Sequence, residues 1–173
     1  RRTSAECLLC GDASVLGPLA RADVDAGRAN LRREGIRRVA VGLLFAHVDG
    51  SHELELESAL REAMPELTVS LSHRIFPRWR ENDRWQTVVA DASLKGMFRR
   101  YVEDLEGGLQ ADGVTAKLVL MKSNGGVVEA RAAADQPVNY LVSGPVGGVL
   151  GGWHFASLAG FTRIMTIDIG GTS

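Results

Sequence analysis

Asp168, Gly170, Gly171, Thr172 and Ser173 follow an apolar run and bring together the parts a polyphosphate site requires. Glycines carry no Cβ, so backbone N–H groups can approach phosphate oxygens closely. A neighbouring carboxylate can hold magnesium, usually through water, and a hydroxyl can donate to phosphate. The order differs from the lysine-containing loop G-x-x-x-x-G-K-[ST]. A plain β-turn uses the same residue types, so the motif alone leaves both readings open. In "MKSNGGVV", Asn124-Gly125 lies between two apolar runs; a two-residue hairpin turn is favoured there over a ligand loop. In "FPRWRENDRW", Arg80, Glu81 and Arg84 lie close enough to pair with one another. Surface or helix capping is the preferred reading, with Trp79 and Trp85 keeping a binding role open. Cys7 and Cys10 make a lone C-x-x-C, and His47, His52, His73 and His154 show no paired metal spacing. Incidental thiols in a reducing compartment are therefore expected, which points to the cytoplasm.

These residues need a scaffold, and the composition supports one. Hydrophobic residues make up 45% of the 173 and charged residues 24%, enough for a sizeable core and unlike a disordered chain. A net charge of −1 gives no electrostatic footprint for nucleic acid or an anionic membrane, so neither is expected as a partner. The sequence opens on Arg1 with no charged-then-apolar leader, so no signal peptide is read. Val138 to Phe161 contains no charged residue, but it holds six glycines, a proline, Asn139, Ser143 and His154. That composition suits a buried, tightly packed helix better than a membrane span.

The pattern alternates. Asp23 to Glu34 is helix-like and closed by Gly35. "RRVAVGLLFA" reads as a strand covered on both faces. Asp49 is a candidate N-cap, Glu53 and Glu55 suit the positive end of a helix, and Leu56, Ala59, Leu60 and Ala63 form its apolar face before Pro65. "LTVSLS" is a second strand, which makes a βαβ unit with a parallel, right-handed crossover. After the polar patch, Leu94, Phe98, Tyr101, Val102, Leu105 and Leu109 recur at helical spacing up to Gly113. "KLVLMK" and "VVEA" read as strands around "SNGG". A glycine-rich helix follows, with rows 144/148/152 and 147/151, and then a terminal strand "RIMTIDI". The glycine rows leave a bare face for another backbone or a cofactor. The whole is an α/β architecture.

Taken in order, "RRVAVGLLFAHVDGSHE", "VSLSHRIFPRWRENDRWQTVVADA", "LVLMKSNGGV", "PVNYLVSGPVGGVLGG" and "IMTIDIGGTS" resemble the hydantoinase A/5-oxoprolinase family from about residue 20 onward. The family usually reads Arg-Glu-Tyr-Glu-Arg where this chain has "RENDR", and Gly50 replaces a proline common after the Asp49 position. The family also contains subunits of acetone and acetophenone carboxylases and is similar to the actin-like ATPases, with two α/β lobes around ATP.

The resemblance implies an incomplete actin-like (ribonuclease H-like) lobe ending at the first strand of the second lobe. Residues 1–72 would be the C-terminal part of the family's N-terminal region, and 73–173 the start of the hydantoinase A region, truncated at the second phosphate loop. It implies ATP and magnesium as cofactors, with Asp168 on magnesium through water and Gly170, Gly171, Thr172 and Ser173 on the phosphates. Ser123, Asn124, Gly125, Gly126, Ser143, Gly144, Arg80, Glu81 and Arg84 become candidate cleft residues, and no catalytic base is assigned. The implied activity is ATP-dependent hydrolysis of a cyclic amide, by phosphoryl transfer to the ring carbonyl oxygen and opening by water. A carboxylase-type subunit, a non-catalytic actin-like nucleotide-binding protein and an inactive remnant are the alternatives. The implied partners are a small cyclic amide and a hydantoinase B-type subunit or domain, in an oligomeric full-length protein.

Overall fold

The computed structural model describes residues 8–9 and 15–170. Cys7, Cys10, Gly171, Thr172 and Ser173 lie outside the described residues. Two compact units are present, one up to Gly96 and one from Met97 onward.

In the first unit, β1 (Leu8–Leu9) and β2 (Val15–Gly17) form a small antiparallel pair. Helix α1 (Arg21–Arg33) follows. It ends on Gly35 at φ 63°, with Gly35 N–H bonded to Arg32 O and Ile36 N–H to Leu31 O, the double closure that a left-handed residue permits. The βαβ expectation holds as a parallel pair. Strand β3 (Arg38–Val41), helix α2 (Ser51–Ala63) and strand β4 (Thr68–Leu71) follow in order, and Arg38 pairs with Thr68 and Val41 with Leu71. Val41, Leu60, Met64, Leu67, Val69 and Leu71 make the core, flanked by Leu31, Leu43 and Leu56. Each such side chain taken out of water contributes roughly 1.5–3 kcal/mol.

Strand β3 is shorter than the apolar run suggests. Beyond Val41 the Leu43 N–H goes to the Glu53 carboxylate and the Leu43 carbonyl to the Arg84 guanidinium, so neither is left for a ladder. Phe45 then turns at φ 56°, and Leu44 is exposed. Asp49 does not cap α2 directly. Gly50 stands at the N-cap, and the Asp49 carboxylate accepts the Ser51 N–H and hydroxyl at 2.9 Å each, two positions further along the chain.

After the short helix α3 (Ser72–Ile75), the long helix α4 (Glu81–Ala111) begins inside the polar patch. Arg84, Val88, Asp91 and Ala92 lie on one helical face and are all buried. Arg84 is fully buried, which overturns the surface reading of that residue. Gly113 stops the helix at φ 78° as expected.

In the second unit, Val102 of α4 is buried, whereas Tyr101, expected on the apolar face, is 56% exposed. Phe98 stacks at 5.2 Å on Tyr140. Strands β5 (Val119–Met121) and β6 (Val127–Glu129) form the expected antiparallel hairpin. Its turn is longer than a two-residue Asn-Gly turn. Gly125 N–H bonds to Lys122 O, Gly125 adopts φ 83°, and Lys122 N–H bonds to Gly126 O. This is a turn closed by a left-handed glycine bulge. Helix α5 (Ala130–Ala133) and a 3₁₀ turn (Pro137–Tyr140) lead to α6 (Ser143–Leu158).

Two expectations fail in this unit. Helix α6 has no buried residue, and Trp153, Phe155 and Leu158 are exposed. It is apolar on every side, so the hairpin it touches cannot cover it. Residues 162–170 form no strand, because no other described strand pairs with them to take up the backbone N–H and C=O groups.

Candidate functional site

The carboxyl ends of β3 and β4 feed two loops, 42–50 and 76–80, which meet over a buried polar ring. Parallel strands commonly place binding sites at this end. Glu53 is fully buried. One of its carboxylate oxygens accepts the Leu43 N–H at 2.9 Å and the Ser72 hydroxyl at 2.6 Å. The other accepts the His73 N–H at 3.0 Å and lies 2.8 Å from His73 Nδ1. Arg84 donates from Nε to Ser72 Oγ at 3.1 Å, from Nη1 to Arg78 O at 2.9 Å and from Nη2 to Leu43 O at 2.8 Å. The acid and the base therefore share Ser72 and grip opposite sides of the Leu43 residue. A buried charge pair persists only when its remaining donors and acceptors are satisfied in this way.

The loops are fitted to their neighbours. A methyl group on Gly42 would lie 2.4 Å from Trp85 Cδ1, and one on Gly50 would lie 2.6 Å from the His73 ring. Glu81 sits 3.5 Å from Arg84. Its carboxyl is held below the ordinary range by its own backbone N–H first, and also by Arg84 and the Phe45 N–H. A second buried set, Ser70, Asp91 and Lys95, fastens α4 to β4. Ser70 donates to Asp91 at 2.7 Å, and Lys95 Nζ lies 3.0 Å from Ser70 Oγ and 3.4 Å from Asp91.

The second unit holds the other candidates. Ser123 N–H donates to Asn139 O at 2.7 Å, and Ser123 Oγ accepts the Val142 N–H at 3.2 Å. This contact brings the loop 123–126 to the start of α6, where Ser143 and Gly144 lie. Asn124 Oδ1 accepts the Gly126 N–H and stiffens the loop. The N-cap of α6, Val142, offers no side-chain cap, and nothing lies within 4 Å of where a Gly144 Cβ would stand. Uncapped N–H groups at the positive end of a 16-residue helix, beside a glycine with open space, suit an anionic oxygen. Asp168 is exposed in the segment 162–170, and among the described residues no hydrogen bond ties its side chain to the loop 123–126. The exposed carboxylate and the open helix end fit a magnesium–phosphate group in donor type.

Sequence reasoning missed Glu53, Ser72, His73, Asp91 and Lys95. A signal was present for two of them. Glu53 and Glu57 continue the helical stripe of Leu60 and Met64, and Asp91 keeps step with Val88 and Ala92. An acid in register with an apolar stripe either finds partners inside or disrupts the packing.

The family model for hydantoinase/oxoprolinase matches residues 84–173. The chain belongs to the hydantoinase/oxoprolinase family. It is 29% identical over 165 residues to the caprolactamase subunit alpha of Pseudomonas jessenii, covering 95% of this chain and 24% of that protein. It is 28% identical over 166 residues to the acetophenone carboxylase gamma subunit of Aromatoleum aromaticum, covering 92% and 22%. With 5-oxoprolinase 1 of Arabidopsis thaliana it shares 31% identity over 144 residues, covering 81% and 11%. The crystal structure of the ATP-dependent caprolactamase from Pseudomonas jessenii overlays 98% of this chain at a TM-score of 0.90 and 27% identity, using 24% of that chain. A nucleotide-free acetone carboxylase structure overlays 91% of it at 0.79 and 17% identity, using 22% of that chain, a likeness of fold. The chain thus spans less than a quarter of the caprolactamase subunit's length, and its fold is a partial α/β lobe shared with these enzymes.

Proposed function

We propose that this chain is part of an ATP-dependent cyclic-amide hydrolase. The observation that carries the reading is the likeness to caprolactamase, which holds in sequence over 95% of the chain and in structure over 98% of it. ATP, when bound, supplies the phosphoryl group that activates a ring-amide carbonyl toward water. In this reading Asp168 holds magnesium through water, and Gly170, Gly171, Thr172 and Ser173 receive the phosphates. Ser123, Asn124, Gly125 and Gly126 form the facing wall with Ser143 and Gly144, because Ser123 fixes the loop against the start of α6. Arg80, Glu81 and Arg84 belong to the end-of-strand site, in which Arg84 holds the two loops in place.

A carboxylase subunit is the second reading, favoured by the 28% identity to the acetophenone carboxylase gamma subunit over 92% of the chain. In either case the functional protein includes a second subunit, since these relatives are themselves called subunits.

The deciding experiment supplies the full-length protein, with its partner subunit, with magnesium, ATP and either a lactam or a ketone plus bicarbonate. Phosphate release coupled to ring opening of caprolactam, 5-oxoproline or a hydantoin supports the hydrolase. Release coupled to bicarbonate uptake replaces it with the carboxylase. Asp168→Asn should lower the coupled rate by about a hundredfold or more, as loss of a charge-stabilising group does. A full rate in that variant would remove Asp168 from the site.

A further inference from the structure

One residue reaches the same oxygen of Glu53 twice. His73, at the carboxyl end of β4, donates its backbone N–H at 3.0 Å and sets its ring nitrogen Nδ1 at 2.8 Å. The other oxygen takes the Leu43 N–H and the Ser72 hydroxyl, and the Ser72 oxygen is itself filled by Arg84 Nε. These partners are donors, as an ionised carboxylate requires, so Nδ1 carries its hydrogen toward the acid. That fixes the tautomer and leaves the lone pair on Nε2, across the ring from Glu53. Glu53 is fully buried, whereas the His73 side chain keeps 17% of its surface exposed. Nε2 has no hydrogen-bond partner among the described residues. The ring also fills the space a Gly50 Cβ would take, standing 2.6 Å from that point. His73 is therefore held along its Nδ1 edge and against the loop 42–50, and its Nε2 edge is free.

We infer that His73 Nε2 is the general base for ring opening, with Glu53 as its positioning residue. The inference rests on the hydrolase reading and deepens it by naming the base. The Nε2 lone pair takes a proton from water as the water oxygen bonds to the activated ring carbonyl carbon. The imidazolium then returns that proton to the ring nitrogen, which keeps the electron pair of the broken carbon–nitrogen bond. Water's oxygen thus ends on carbon, one of its hydrogens ends on nitrogen, and His73 is regenerated. Glu53 stabilises the imidazolium formed in between and holds its orientation. The charged groups facing His73 are Glu53 from α2, Asp49 from the loop 42–50 and, through Ser72, Arg84 from α4. Arg74, its neighbour on α3, is turned to Glu57 at 3.1 Å. Asp49 loses its charge only far to the acid side, because the Ser51 N–H holds its carboxyl below 3.8.

The test follows ATP-dependent opening of caprolactam, 5-oxoproline and a hydantoin by the full-length protein with its partner subunit, as kcat and KM against pH. In the parent, kcat should fall toward acid along a single limb as His73 takes up its proton. His73→Asn keeps an amide N–H where Nδ1 stands, and His73→Gln reaches toward the place of Nε2; neither carries a base. Each should lower kcat by about a hundredfold or more, erase the acid limb and leave KM for the ring substrate nearly unchanged. A histidine needed only for its hydrogen bonds would be replaced by one of the two. A parental rate in either variant, a loss confined to KM, or an acid limb that persists in both would each overturn His73 as the base and leave the hydrolase reading intact. A parent that opens none of the three rings would overturn that reading and the base together.

Discussion

The two units handle polar and apolar groups in opposite ways. In the first, charged side chains lie inside and are satisfied; Glu53 and Arg84 are fully buried and joined through Ser72. In the second, helix α6 carries apolar side chains outward and opens its N–H groups at an uncapped end. The contrast shows where each unit's specificity is kept. The first has its loops set by internal bonds before any ligand arrives, which reduces the ordering that binding must impose. The second presents surfaces that nothing among the described residues covers.

The sharpest way to break this comparison is to break the ring. Glu53→Ala should destabilise the protein by about 3–5 kcal/mol, because the Leu43 N–H, the Ser72 hydroxyl and the His73 N–H are then left without their buried acceptor. Arg84→Ala should cost about as much, and Ser72→Ala about 1–3 kcal/mol. Urea unfolding checks all three. In the double variant of Glu53 and Arg84 the losses should fall well short of adding, as expected of residues in one network. Additive losses would mean the two charges stand independently.

Glycines probe the same difference at smaller scale. Gly42→Ala drives a methyl group into the Trp85 indole and should cost about 1–3 kcal/mol, read as a lower unfolding midpoint. Gly148→Ala sits in α6 with nothing within 4 Å of its Cβ and an ordinary helical backbone. It should stabilise the helix by about 0.5–1 kcal/mol. If Gly148→Ala instead lowers activity of the full-length protein while raising its stability, the bare face is used for a close contact.

What could be read in advance follows from how local each cause is. The βαβ order, the stops at Gly35 and Gly113 and the hairpin around Gly125 came from short-range rules, and the structure keeps them. The length of β3 was hidden because Glu53 and Arg84, 10 and 41 residues from Leu43, intercept its backbone groups. The burial of Arg84 was hidden for the same reason, since "RENDR" alone looks solvated. The segment "RIMTIDI" has strand composition, but a strand is a property of a pair. The contact between Ser123 and the start of α6 joins two motifs 19 residues apart, which spacing alone could not show.

Acid titration gives the smallest effect and separates two supports of the loop 42–50. The Asp49 carboxyl is held below its ordinary value of 3.8 by the Ser51 N–H first and then by the Ser51 hydroxyl, with His52 and His73 adding to it. The Glu81 carboxyl is held below 4.5 by its own N–H first, then by Arg84 and the Phe45 N–H. Both values are lowered by folding, so the unfolded chain takes up protons first as the pH drops. The stability these groups contribute is fully present above the ordinary values and is lost as the pH falls through the folded ones. Unfolding midpoints should therefore decline more steeply below about pH 4 in the parent than in Asp49→Asn or Glu81→Gln. Glu81→Gln should also lower the midpoint at neutral pH, since it takes a charge from beside the buried Arg84, whereas Asp49→Asn keeps an oxygen for the Ser51 N–H and should change less. Equal losses at neutral pH would place the hold on the loop in the exposed turn instead of the buried ring, and the contrast between the units would narrow accordingly.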